Sequence, residues 1–168
     1  MAKVTENKSL LVRQGPCWYA ARTRFGAELA VGERIGRLGV ESFVPAERRR
    51  ALIPCMVFVR ATKERACELA NVDGVPVKYL IDPARRSLMV VPDKQMEDVR
   101  RVLDLSTEEG GLLDRPLALG ARVRVIKGVL SGVEGRVLEL RGRTYVVVEL
   151  FGSWFAKASV PRAWLEAI

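Results

Sequence analysis

Residues 121–140 read ARVRVIKGVLSGVEGRVLEL, an alternating stretch, a turn with the three glycines Gly128, Gly132 and Gly135, then a second alternating stretch. In the first stretch Val123 and Val125 share one face while Arg122 and Arg124 share the other, the period-two pattern of a half-buried strand. Glycine takes positive φ without steric cost and lets one backbone pass close to another. The reading is therefore a strand, a tight turn and a second strand. Further strands are expected at about 143–150 and 154–159, with Arg141–Gly142 as a hairpin turn, so that 117–168 closes into a small twisted barrel. PRAWLEAI, 161–168, is expected to end the chain in a helical turn, with Trp164 and Leu165 plugging the barrel. Such barrels commonly bind other macromolecules rather than catalyse.

Upstream, the period changes several times. CWYAARTR, 17–24, suits a strand. Over 26–39, Ala27, Ala30, Val31, Ile35 and Leu38 recur at helical spacing and Gly39 stops the helix. ESFVPAERRR, 41–50, reads as an edge strand, because Pro45 has no N–H for a central ladder. LIPCMVFVRA, 52–61, is the most apolar segment and predicts a central strand from Cys55 to Ala61. Alternation places Cys55, Val57 and Val59 on a helix-packed face and Met56 and Phe58 on the other. A short helix over 63–71, a strand over 75–81, a short extended piece over 87–91 and a helix from Asp93 to about Leu105 follow. Met96, Val99, Val102 and Leu103 give the last helix one apolar stripe. The order β-α-β-β-α-β-(β)-α predicts an α+β fold, a split β-α-β domain whose antiparallel sheet carries helices on one side. Residues 104–114 hold the acids Asp104, Glu108, Glu109 and Asp114 and no base, and Gly110–Gly111 precedes Pro116, which marks a linker. The expected organisation is a flexible tail 1–15, a first domain 16–105, an acidic linker 106–116 and a barrel domain 117–168.

Composition narrows the function classes. The chain has 168 residues, of which 49% are apolar, enough for two small cores. No apolar run reaches the roughly 20 residues of a membrane helix, and the polar start MAKVTENKSLLVRQG lacks a signal-peptide core. A cytoplasmic, monomeric protein is expected. The sequence contains no histidine, which removes the commonest general base and metal ligand. Cys17, Cys55 and Cys67 form no C-x-x-C pair, so neither zinc nor a disulfide is expected. With no phosphate loop, nucleophile elbow or paired acids, the chain reads as a binding protein without cofactor rather than an enzyme. Its net charge of +8 favours polyanionic partners.

The order of parts resembles the NusG family of transcription elongation factors. The resemblance rests on four pieces, Trp18–Thr23 (WYAART), Leu52–Val59 (LIPCMVFV), Val90–Val99 (VVPDKQMEDV) and a KOW-like segment over 122–148 that holds Gly128, Gly132 and Gly135 with Arg122 and Arg124. The VPDKQM run and the short spacer after the first helix are most similar to UpxY-type paralogues, which act on particular operons, often for surface polysaccharide synthesis. The resemblance implies a NusG N-terminal domain plus a small SH3-like KOW β-barrel, and an elongation or antitermination factor. Its first domain would grip the clamp helices of the largest RNA polymerase subunit through a hydrophobic hollow formed by Arg22, Ile53, Pro54, Met56 and Phe58. Family members usually carry P-G-Y or P-N-Y where this chain has Pro54–Met56, and an apolar residue where Arg22 stands. Arg24 and Arg34 match positions near the non-template DNA strand. Arg48, Arg49 and Arg50, at the tip of a hairpin, are candidates for DNA or nascent RNA, against the plain alternative of solvated surface charge. The KOW domain would recruit Rho or a ribosomal protein, with Lys127, Phe151, Trp154 and Phe155 as further surface candidates. The second reading is an RNA-binding or ribosome-associated KOW protein.

Overall fold

The computed structural model describes residues 15–104, 111–113, 119–151 and 154–168. Contacts divide the chain into two compact units, Met1–Val90 and Val91–Ile168.

In the first unit β1 (Cys17–Arg22) leads into α1 (Glu28–Arg37), β2 (Glu41–Phe43) and a hairpin of β3 (Ala46–Glu47) and β4 (Arg50–Ala51). Then come β5 (Met56–Ala61), α2 (Lys63–Asn71), β6 (Lys78–Tyr79), β7 (Ile81–Asp82), β8 (Ser87–Leu88) and β9 (Val90–Val91). The sheet runs β2-β5-β1-β6, with β9 also paired to β1. β1 and β5 are antiparallel from Cys17 opposite Ala61 to Arg22 opposite Met56. Tyr19, Ala21, Val57 and Val59 bury one face of this pair with Val31 and Ile35 of α1 and Ala66 and Leu69 of α2. α2 starts at Thr62, whose hydroxyl accepts the Arg65 N–H at 3.2 Å. This satisfies a donor left open by the first turn.

Three features of this unit differ from the sequence reading. The edge strand expected over 41–50 is broken in two, because Pro45 has no N–H and its carbonyl instead accepts Leu52 N–H at 2.8 Å. The strand expected over 75–81 shrinks to two-residue pieces, since Val75 N–H donates to the Leu69 carbonyl at the end of α2 (2.9 Å) and cannot join a ladder. Cys55 lies in the turn before β5 rather than in the strand and is absent from the helix-packed cluster.

The second unit holds α3 (Asp93–Asp104), β10 (Gly111–Leu113), β11 (Arg122–Val125), β12 (Glu134–Leu140), β13 (Arg143–Phe151) and β14 (Trp154–Ser159). A 3-10 turn (Arg162–Trp164) and β15 (Leu165–Ala167) close it. The antiparallel strands run β10-β14-β13-β12-β11-β15. Where a barrel is expected, the described residues form this ladder, whose edge strands β10 and β15 are not paired with each other. Gly111–Leu113, expected within the linker, pairs with β14. The chain end is a strand rather than a helical turn after Trp164. Ile126 N–H donates to the Trp164 carbonyl (2.8 Å) and Ile168 N–H to the Arg122 carbonyl (3.1 Å), so an open edge of β11 captures it. α3 lies against β13 and β14. Met96, Val99 and Val102 of α3 and Val146, Val148, Ala156 and Ala158 of the strands are buried. The opposite face buries Leu138, Tyr145 and Val147 with Leu119 and Phe155.

Candidate functional site

The sheet of the first unit has two unlike faces. Because side chains alternate, Trp18, Ala20 and Arg22 share a face with Met56 and Phe58, opposite to the face that packs α1 and α2. Phe43 of β2 stands opposite Phe58 of β5, with ring centroids 6.3 Å apart. The hydrophobic hollow expected of Ile53, Met56 and Phe58 would place them at the surface. Here they are 0%, 5% and 0% exposed, a correction to that expectation. The alternation is as read, but an apolar sheet face of this size does not stay in water within this chain. Arg22, at the end of β1, and Pro54 are exposed.

The turn that leads into this face is held from beneath. Cys55 adopts φ +62, a left-handed conformation that side chains other than Gly, Asn and Asp rarely take. Its N–H donates to Glu28 Oε1 at 2.8 Å, and its carbonyl accepts Thr23 N–H at 3.0 Å. Glu28, at the first turn of α1, is a buried carboxylate. Burial pushes its pKa up, but the N–H groups of Cys55, Glu28 itself and Gly26 outweigh that and leave it below the ordinary 4.5. The sequence reading missed Glu28. Its only signal was an acidic residue in a first helical turn, which ordinarily signifies no more than dipole complementation.

The arginines divide by environment. Arg48 and Arg49 form the two-residue loop between β3 and β4, with φ of +48 and +63. Such loops favour Asn-Gly, because both positions are left-handed. Among the described residues Arg48, Arg49 and Arg50 make no ion pair, and all three are exposed. Arg24 is exposed as well. Arg34 is not a solvated cation on a bare helix face, since its guanidinium donates to the Asp73 carbonyl at 2.9 Å. Asp73 also accepts Arg65 at 2.7 Å, so the corner after α2 is internally neutralised.

In the second unit the glycine turn is clasped by α3. Gly128 has φ +81, and a Cβ there would lie 2.5 Å from the Trp164 ring. Gly135 admits no side chain, because a Cβ would lie 2.3 Å from the Val147 carbonyl oxygen. Gly132 takes φ +90. Arg101 donates to the carbonyls of Val129 and Ser131, each at 2.7 Å. Lys94 donates to the Gly132 carbonyl at 2.8 Å and to Asp98 at 2.6 and 2.7 Å. Buried Asp98 also accepts the Glu134 N–H at 3.1 Å, and Gln95 donates to the Glu149 carbonyl. Arg122 and Arg124 both approach Glu134, with Arg124 at 2.7 Å and Arg122 at 4.0 Å. Arg124 holds the Glu134 carboxyl below its usual range. Lys127 is exposed. Of the aromatics read as surface candidates, Phe155 is half-buried and joins the Leu138 cluster, while the side chains of Phe151 and Trp154 lie outside the described residues. The clasp was not legible beforehand, because Lys94, Asp98 and Arg101 read as the polar side of an amphipathic helix.

Among the described residues no group of His, Cys, Asp and Glu could hold a metal ion. No helix among them is long and apolar enough to cross a membrane.

These features define a two-unit α+β chain built from a helix-backed antiparallel sheet and a glycine-turned antiparallel ladder. A solved structure of Thermotoga maritima NusG, reported for its domain interaction, shares this fold, with a TM-score of 0.52 and 20% identity over 91% of this chain and 97% of that one. An MjSpt4:Spt5 complex structure gives a TM-score of 0.32 at 15% identity, covering 90% of this chain and 97% of that one. No protein-family model and no curated protein matches the chain.

Proposed function

We propose that this chain is a NusG-type transcription elongation factor that binds RNA polymerase and acts without bond chemistry. The observation that carries the reading is the fold shared with Thermotoga maritima NusG over nine-tenths of both chains. The apolar character of the second face of the β1–β5 sheet, with Met56 and Phe58 turned away from α1 and α2, supports it as a partner surface once uncovered.

Arg22, Ile53, Pro54, Met56 and Phe58 are the proposed contacts for the clamp helices of the largest polymerase subunit. Arg22 and Pro54 are exposed already, whereas engagement through Ile53, Met56 and Phe58 requires a change that brings them to the surface. If the uncovered form is a fraction f of the population, the apparent Kd rises by 1/f, so the burial tunes affinity downward. Binding that favours the closed clamp over the open, paused one shifts the polymerase toward elongation by that difference in affinity. The sharper form is antitermination at specific operons, as for UpxY-type proteins, in the cytoplasm.

Arg24, Arg34, Arg48, Arg49 and Arg50 are the proposed contacts to non-template DNA or nascent RNA. Arg34 is the weakest member of that set, because one guanidinium nitrogen is already committed to Asp73. The second unit is read as a KOW module, closing as a small barrel and recruiting Rho or a ribosomal protein. The test is capture of core RNA polymerase by purified protein. Wild type binds and Arg22→Glu, an exposed change that spares the core, binds at least tenfold more weakly. Absence of capture by the wild type overturns the reading.

A further inference from the structure

A pocket of about 110 Å³ opens on one face of β11, β12 and β13 in the second unit. Val147 and Leu119 supply its apolar surface, and Arg122, Arg136, Glu134 and Glu149 its charge. The strand register sets Arg122 directly opposite Arg136, and Arg136 opposite Val147. The two guanidinium groups therefore leave neighbouring strands on the same face. Like charges directly opposite each other destabilise a ladder. Two residues along, Arg124 faces Glu134 and pairs with it at 2.7 Å, which is the neutral arrangement the same two strands can hold. Glu134 is thereby spent, and it meets Arg122 only at 4.0 Å. Among the described residues Arg136 makes no ion pair, and neither does the Glu149 carboxylate. Both line the pocket, and Glu149, two residues beyond Val147, lies on the diagonal from Arg136 where long side chains can meet. The pocket thus presents a facing pair of arginines and, beside it, an open carboxylate.

We propose that Arg122 and Arg136 receive the carboxylate of a glutamate or aspartate from a partner protein's extended segment, with Glu149 meeting a basic side chain next to it. The inference rests on the recruiting role proposed for the second unit and names the chemistry of what is recruited. A carboxylate between two guanidinium groups cancels their repulsion and accepts charge-assisted hydrogen bonds from both. Leu119 and Val147 offer apolar surface to the methylene stem of the incoming acid. A nucleic-acid strand is a poorer match, because its run of phosphates would pass the carboxylates of Glu134 and Glu149.

The experiment titrates full-length protein with a capped peptide holding one glutamate between two lysines, with its glutamine counterpart, and with single-stranded DNA of equal length. Two-dimensional NMR reads the Nε–H groups of Arg122 and Arg136 and the Val147 amide. The glutamate peptide is expected to shift all three signals and to bind about tenfold more tightly than the glutamine peptide. Arg136→Gln is expected to remove that preference. Arg141→Gln, which takes the same charge from an exposed position at the β12–β13 turn, is expected to keep it. Arg136→Glu turns a repulsive rung into an attractive one and is expected to raise Tm by about 2–4 °C while abolishing the preference for glutamate. Equal binding of the two peptides, binding of neither, or an equal loss in Arg141→Gln overturns the proposal. So does DNA that moves the same three signals at lower concentration than the glutamate peptide, or an Arg136→Glu melt no higher than wild type. Polymerase capture is run on the same variants. Retained capture without glutamate selectivity fails this inference alone, whereas absent wild-type capture with glutamate selectivity fails the polymerase reading alone.

Discussion

Replacing Cys55 by glycine should stabilise the first unit. The residue sits at φ +62. A left-handed conformation costs an ordinary L-residue about 1–2 kcal/mol. Glycine removes that cost but loses more backbone entropy on folding, about 0.5–1 kcal/mol. The net expectation is a gain of about 0.5–1 kcal/mol, with the Glu28–Cys55 hydrogen bond kept because it uses the backbone N–H. In a unit of this size such a gain raises Tm by about 3–6 °C. Cys55→Ala is the control, since it removes the thiol and retains the strain. Cys55→Asn should fall between, because asparagine tolerates this region. Differential scanning calorimetry on all three, with near-UV circular dichroism to confirm native packing, reads the order Gly, Asn, Ala. Glycine no better than alanine would refute the strain argument.

Glu28→Gln exchanges a charge-assisted bond to the Cys55 N–H for a neutral one and should cost about 1 kcal/mol at pH 7. Because the Glu28 pKa is lowered in the fold, the stability it supplies is present above about 4.5 and lost as pH falls through the folded value, so acid titration of Tm should be flatter in Glu28→Gln. Asp98→Ala leaves the Glu134 N–H and Lys94 without their partner and should cost the second unit about 2 kcal/mol, read by faster hydrogen exchange at Glu134. Tyr79→Phe removes a buried hydroxyl that has no hydrogen-bond partner and should stabilise the first unit by about 1 kcal/mol in thermal melts. Burial holds the Tyr79 pKa at about 12, so wild type should lose more stability than Tyr79→Phe between pH 10 and that value.

What the sequence disclosed was periodicity. Val57 and Val59 facing α1 and α2, with Met56 and Phe58 facing away, follow from alternation alone. Gly128 and Gly132 adopt the positive φ that their place in a turn implies. What it withheld was solvent contact and the partners of polar groups. Alternation assigns Phe58 to a face but not whether that face is wet, and Phe58 is buried. Arg34 and Asp73 are 39 residues apart in sequence, so no local pattern announces their hydrogen bond. The same holds for Lys94 and Arg101 reaching carbonyls of the glycine turn. Short strands such as Lys78–Tyr79 were misjudged because tertiary hydrogen bonds, rather than propensity, decide where a ladder stops.

The central claim is that the β1–β5 face docks on RNA polymerase. Hydrogen exchange of the full-length protein with and without core polymerase addresses it most directly. The account predicts added protection at Arg22 and across residues 53–58, together with loss of complex formation by Arg22→Glu. A complex that protects only the second unit, or unchanged exchange across 53–58 at saturating polymerase, would contradict it.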